Sequence, residues 1–396
     1  VEKPYSTTME RLPEEVSKPL FLSIDVLSRS NFQIWNDYSI WKKIHILYMI
    51  PCIIVFYVGN ALYTINMFSR EVSLSEVAYQ ISIFLIMMQG ILLIPKKKNI
   101  AELIEKLGAT WTKGNLNERQ IRSKKFIFKR MDVCLKIYYW GSMLACWNIE
   151  LAPGLVTIVK LAMGQDTILL LPFGVDFPFN PRKDWITYIL VYVYEMYSAF
   201  RFTYVYIGIE ILMVTLCALL SAEFSILRDD FRHIEPESEE TDNTALKNLV
   251  RKHQQLLMVG KIINKILFFD LLFFSDSESQ GKINFINALQ VAGGVVELVN
   301  DFFSVIALLL PVFIFCYYSE QVKEECVGIA EAAYDNKWYQ GSESYKRIIR
   351  FVITRAQKPC CLTSMGYAPI TLNTFSRVMS TTWSYFSLIR TVFSED

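Results

Sequence analysis

The chain is 396 residues long, 53% apolar, 14% aromatic and 20% charged, a balance more apolar and less charged than soluble domains carry. Its 40 Lys and Arg nearly cancel 39 Asp and Glu, so no strong field draws nucleic acid or an anionic substrate, and a disordered or collagen-like chain is excluded. The apolar residues are gathered into runs long enough to cross about 30 Å of hydrocarbon, which takes about 20 helical residues.

Residues 1–45 are a polar segment whose first thirty positions, with Glu10, Arg11, Glu14, Glu15 and Lys18, contain no apolar leader core. No cleaved secretory peptide is expected, and targeting falls to the first span. That span, Ile46 to Phe68, carries no charge and follows Trp35, Tyr38 and Trp41, rings suited to the membrane interface. The second, Val77 to Ile94, ends at Lys96, Lys97 and Lys98, and the third runs from about Val133 to Pro153. The fourth, Trp185 to Leu220, has 36 residues; at about 54 Å as a helix it projects beyond the bilayer. The fifth, Ile263 to Phe274, is short, carries Lys265 and Asp270, and runs into Ser275, Asp276, Ser277 and Glu278. Glu297 and Asp301 interrupt the sixth, Ile283 to Tyr318, leaving Phe302 to Tyr318 as its clean part. The seventh is Ala368 to Phe393, with Ser394, Glu395 and Asp396 behind it.

The expected fold is therefore all-α with seven transmembrane helices: a segment 1–45, six spans with loops over 46–318, helices at 319–366, and the last span with a short tail over 367–396. Lys and Arg accumulate on the cytoplasmic side of membrane proteins. Four alternate segments, the N-terminus to Lys43, 95–131, 226–261 and 319–366, hold 30 of the 40 basic residues. The N-terminus is thus expected in the cytoplasm and, after seven crossings, the C-terminus outside, the reverse of a G-protein-coupled receptor.

Chemistry-bearing motifs are sparse. Of eight cysteines, Cys52, Cys134, Cys146, Cys217 and Cys316 fall in or near spans, and Cys326, Cys360 and Cys361 fall in an expected cytoplasmic segment, so none is placed for an extracellular disulfide. The three histidines, His45, His233 and His253, have no second ligand at metal spacing. Asp229, Asp230 and His233 are the nearest approach to a nucleophile-and-base cluster and also suit a solvated helix end. No enzyme activity, metal or cofactor is expected.

Charges in the fourth span, Glu195, Arg201 and Glu210, stand among Tyr188, Tyr192, Tyr194, Tyr197, Tyr204 and Tyr206. Charge at membrane depth faces a cavity or a partner. Met143, Cys146, Trp147 and Glu150 in the third span, with Tyr79, Ile83 and Phe84 in the second, add mostly apolar walls carrying a few polar atoms, as a small lipophile requires; such stripes also serve ordinary helix packing. Between the last two spans, Ala330, Ala333 and Tyr334, then Tyr345, Ile348, Ile349, Val352 and Ile353, recur at helical spacing, with Ser342 placed to cap the second run. Two amphipathic helices there need a partner for their apolar faces, either another subunit or the membrane surface. Leu388 and Val392 are four apart on one face of the last span, and apolar rings of that kind gate pores by dewetting.

Five pieces in order, Phe313 to Tyr318 (FIFCYY), Ala333-Tyr334 shortly before Trp338-Tyr339, Arg355-Ala-Gln-Lys-Pro359, Leu372-Asn-Thr-Phe375 and Ser384-Tyr385-Phe386, resemble the insect odorant receptor family, and within it the chain is similar to moth pheromone receptors. The resemblance implies a ligand-gated, non-selective cation channel in the plasma membrane of olfactory sensory neuron dendrites. It implies a heterotetramer with the odorant co-receptor, held by a cytoplasmic anchor that maps here to Tyr334, Trp338, Tyr345 and Ile349. The family's pore gate falls on Leu388 and Val392. Its pocket for a volatile lipophilic ligand falls near Tyr79 and Ile83, Met143 and Trp147, Tyr197 and Arg201, and Phe302, Phe303 and Ile306. One departure is the polar stretch Ser275 to Lys282, followed by Gly293 and Gly294, where the family has a continuous fifth span. A secondary transporter using Glu195, Arg201 and Glu210 for coupling is the competing reading, but the chain lacks the internal repeat such transporters often show.

Overall fold

The structure, a computed structural model, describes residues 7–35, 40–67, 94–112, 114, 116–164, 169–236, 239–267, 295–364 and 368–393. The second expected span up to residue 93, with Tyr79 and Ile83, and the polar interruption at 275–282 lie outside them. The described helices are α1 (Thr7–Arg11), α2 (Glu14–Arg29), α3 (Ile40–Met67), α4 (Lys97–Thr110), α5 (Glu118–Ala162), α6 (Trp185–His233), α7 (Glu239–Leu267), α8 (Val295–Asp335), α9 (Glu343–Ala356) and α10 (Leu372–Phe393).

The fold is organised around α6, which packs against α2, α3, α5, α7 and α8. Every residue from Ile211 to Leu227 is buried, as a helix apolar on all sides must be. The first half of α6 behaves differently. Ile186, Ile189, Leu190 and Val193, in three- and four-residue steps, are exposed, Ile186 by 73%. On α5, Val133, Ile137, Trp140, Leu144, Trp147, Leu151, Leu155 and Ile158 form a similar exposed stripe, with Trp140 at 69%; α3 adds Ile54, Val58, Leu62 and Ile65. So continuous an apolar exterior marks a surface that meets lipid.

Beyond that band the helices turn ordinary amphipathic faces to solvent. In α4, Ile100, Leu103, Ile104 and Leu107 are buried while Glu102, Glu105 and Lys106 are exposed. In α9, Tyr345, Ile349, Val352 and Ala356 pack inward, and Ser342 caps the helix by accepting from the Tyr345 N–H at 3.2 Å, as its spacing predicts. Buried polar bridges join these helices. Glu223 of α6 pairs with Lys252 of α7 at 2.9 Å and accepts from the Thr112 hydroxyl at 2.7 Å. The Asn336 amide donates to the Phe231 and Ile234 carbonyls at 3.0 and 2.6 Å and to the Tyr345 hydroxyl at 3.1 Å, closing the end of α6 against α9.

Three helices run past their expected limits. α8 passes without interruption from the sixth span into the 319–366 region, so the boundary at Tyr318 is a change of surroundings and not a break in the backbone. α6 continues 13 residues beyond Leu220 and α5 nine beyond Pro153. α10 starts at Leu372 and not Ala368, because Ala368–Pro369 pairs as a two-residue antiparallel ribbon with Thr363–Ser364. The Thr371 hydroxyl then accepts from the Thr374 N–H at 3.3 Å at the helix start.

Candidate ligand-binding site

The most unusual local geometry lies where α5 meets α6. Pro153 has no N–H to give the ladder of α5. One residue on, the Tyr192 hydroxyl of α6 donates to the Glu150 carbonyl and accepts from the Gly154 N–H at 3.0 Å. It thus stands between the carbonyl and amide four residues apart that an undisturbed helix would pair directly. A Cβ on Gly154 would lie 2.7 Å from that hydroxyl, so glycine is what admits it.

Two acidic side chains flank this insertion, and both are fully buried. Glu150 accepts from the Cys146 thiol at 3.0 Å through one oxygen, and Cys146 in turn lies 3.4 Å from the Thr203 hydroxyl. Glu195 accepts from the Phe173 N–H at 3.2 Å. The other oxygen of each carboxyl meets no partner among the described residues.

A strap, residues 169–177, covers the Trp185 end of this region. The Leu170 N–H reaches the Thr157 hydroxyl at 3.3 Å, and the Leu170 carbonyl accepts from Tyr188 at 2.8 Å. The Gly174 carbonyl accepts from the Asn60 amide at 3.2 Å, and the Asp176 N–H bonds the Gly59 carbonyl at 3.0 Å. A Cβ on Gly59 would come within 2.5 Å of Val175, so the strap's approach to α3 depends on that glycine. Its underside is aromatic: Phe173 meets Phe56 edge-on at 5.9 Å, Phe56 meets Phe202 at 5.9 Å, and Phe177 meets Tyr194 at 6.2 Å. Acceptor atoms without partners among the described residues, set among aromatic rings, suit a small and mostly apolar ligand with one polar end.

The expected site residues separate on this frame. Met143 is buried on α5, whereas Trp147 is 54% exposed and touches α6 edge-on through Phe200 at 6.3 Å. Tyr197 and Arg201 belong together, with the guanidinium 4.9 Å from the ring centre. Arg201, however, donates to the carbonyl of Arg29, the last residue of α2. A cation on a terminal carbonyl stabilises a helix end, so this contact ties α6 to the end of α2. Phe302, Phe303 and Ile306 are helical on α8, and Leu388 and Val392 on α10, with side chains outside the described ones.

Of the expected anchor residues, Tyr345 and Ile349 are buried in this chain's own core, Trp338 is half-buried and Tyr334 is exposed. Their helical periodicity marked an internal face; Tyr339 and Phe351 join Tyr334 on the exterior. The His233 Nδ1–H donates to the Asp229 carbonyl at 2.8 Å, and Asp230 accepts from Gln120 at 2.7 Å, so that acidic cluster closes a helix end. Among the described residues no group of His, Cys, Asp and Glu is arranged to hold a metal. What sequence reasoning missed is the strap and the Tyr192 insertion; their one visible signal was charge and tyrosine at membrane depth.

The sequence profile of the 7tm odorant receptor family matches residues 72–383. The chain belongs to that family. Odorant receptor 67c of Drosophila melanogaster is 25% identical over 273 residues, 68% of this chain and 67% of that relative. Odorant receptor 85b of the same species is 22% identical over 312 residues, 76% of this chain and 77% of the relative. The alignments to 67c and its nearest peers span about two thirds of those relatives' length. The olfactory receptor OR5 of Machilis hrabei, solved with eugenol, superposes with a TM-score of 0.80 at 15% identity, covering 96% of this chain and all of that one. Its fold is the seven-transmembrane fold of this odorant receptor, a membrane protein.

Proposed function

We propose that this odorant receptor binds a volatile lipophile between α3, α5 and α6 beneath the strap, and that binding opens a cation-conducting pore lined by α10. The reading rests on one observation above the others: the fully buried Glu150 and Glu195, each with an unfilled oxygen, stand beside aromatic side chains in a family whose solved relative OR5 holds eugenol. The N-terminus lies in the cytoplasm, and the strap faces the outside, where odorants arrive. The chain assembles with the odorant co-receptor in a heterotetramer in the dendritic membrane of olfactory neurons, through the exposed Tyr334, Tyr339 and Phe351. Leu388 and Val392 form the gate. A long-chain pheromone suits such a site, its tail against rings and its polar end at the carboxyls. Gating requires that the ligand prefer the open arrangement, since equal affinity for both states shifts nothing.

Dose-response curves of Glu195→Gln and Glu150→Gln, recorded with the co-receptor over volatile alcohols, aldehydes and acetates, test the site. A hydrogen bond there contributes about 1–3 kcal/mol, so half-maximal concentrations move by about tenfold and the ligand ranking changes at unchanged surface expression. Identical curves for both variants place the ligand elsewhere.

A further inference from the structure

The exposed stripe of α5 does not stop where the apolar residues do. Reading back from Trp140 in the same three- and four-residue steps, it continues through Ile137, Val133, Lys129 and Arg130, Phe126, Arg122 and Arg119, all exposed. The opposite face, Gln120, Lys124, Met131, Leu135 and Tyr138, is buried. The face that meets hydrocarbon thus becomes basic while remaining one face, with Arg119, Arg122 and Lys129 exposed along it.

Lys125 flanks the ladder and is also exposed. The stretch has two acids, each held in a surface pair: Glu118 with Arg122 at 2.9 Å and Asp132 with Lys136 at 2.6 Å. Arg119, Lys125, Lys129 and Arg130 therefore carry the local excess of positive charge. Arg130 is fixed in place, its guanidinium 5.2 Å from the Phe126 ring centre and 5.3 Å from that of Tyr317 on α8, and it donates to the Tyr317 hydroxyl.

We infer that this basic extension of α5 is a docking surface for an inner-leaflet lipid with a multiply phosphorylated headgroup, a phosphoinositide. Basic clusters immediately cytoplasmic of a membrane helix attract anionic lipid, and geometry selects among such lipids. At 1.5 Å per residue, Lys129 stands about 6 Å beyond Val133 and Arg119 about 21 Å beyond it. A serine headgroup, lying at the ester level with one net charge, meets the first rung of that ladder. A phosphorylated inositol ring projects further into water and carries several charges, so it meets more of the ladder at once. The assignment rests on the cytoplasmic placement of the N-terminus.

Binding of fluorescent short-chain phosphatidylinositol 4,5-bisphosphate to the purified full-length receptor in detergent, against phosphatidylserine and soluble inositol trisphosphate, tests it. The variant Lys125→Gln/Lys129→Gln leaves the Arg130 stack intact, and its thermal midpoint checks folding; Lys346→Gln/Arg347→Gln on α9 is the control. The expected result is a preference for the bisphosphate lipid that falls roughly thirtyfold in the α5 variant, about fivefold per lost charge, and is unchanged in the control. Undiminished affinity in the folded α5 variant overturns the site. Equal affinity for phosphatidylserine, or for the soluble headgroup, overturns the lipid assigned to it.

Discussion

Tyr192 shows how one atom from a distant residue rewrites a local rule. Proline in a sequence reads as the end of a helix, and α5 instead runs on to Ala162 because a hydroxyl 38 residues away in sequence bridges the Glu150 carbonyl and the Gly154 N–H. That bridge was not legible, since no local pattern announces a partner on another helix. Tyr192→Phe leaves both buried groups unbridged and is expected to cost about 1–3 kcal/mol, read as a lower thermal midpoint of the purified protein. Gly154→Ala, which drives a methyl group against the hydroxyl, costs at least as much; a variant as stable as the parent removes the insertion's structural role. His253 gives a residue-scale pH dependence. It is buried on α7 beside Phe224, its Nε2 without a partner among the described residues. Burial, helped by the charge of Arg355, pushes its imidazole down to about 4. Because the unfolded chain takes up that proton near pH 6.5, the stability is fully present above about 6.5 and is lost as pH falls toward 4. Protection factors of α7, taken relative to the intrinsic exchange rate at each pH, should fall between pH 7 and 4 in the parent and stay flatter in His253→Gln; equal slopes contradict the burial argument.

At the scale of elements, the excess length of α6 was legible, because a mostly apolar run of 36 residues outreaches the bilayer and must enter something else. What that something was, the cores of α2, α7 and α8, depends on long-range packing that periodicity does not encode. The amphipathic pattern of α9 was equally clear, yet Tyr345 and Ile349 face the chain's own core, since a stripe says which side is buried and not against what. The strap was invisible for a different reason: residues 169–177 have no regular period, and backbone and side-chain groups of Gly59, Asn60, Thr157, Tyr188 and Glu195 hold them. Gly59→Val is expected to displace Val175 and Asp176 and free the strap. Limited proteolysis checks this, with faster cleavage between 169 and 177 in the variant and unchanged cleavage if the close approach is dispensable.

For the molecule as a whole, two exteriors divide the labour. The apolar band on α3, α5 and the first half of α6 faces lipid, and the polar-coated assembly of α2, α4, α7 and α9 surrounds the buried half of α6. On the proposed orientation, with the basic segments in the cytoplasm, an N-terminal epitope tag is expected to stain only after permeabilisation and a C-terminal tag in intact cells; the opposite pattern reverses the orientation. The central claim is that ligand binding opens a channel shared with the co-receptor. Whole-cell current during odorant pulses, with the co-receptor present or omitted and G-protein signalling blocked, tests it most directly. The account predicts a fast cation current that needs both subunits and survives the blockade. A response abolished by the blockade, or substrate-dependent flux through this chain alone, contradicts it.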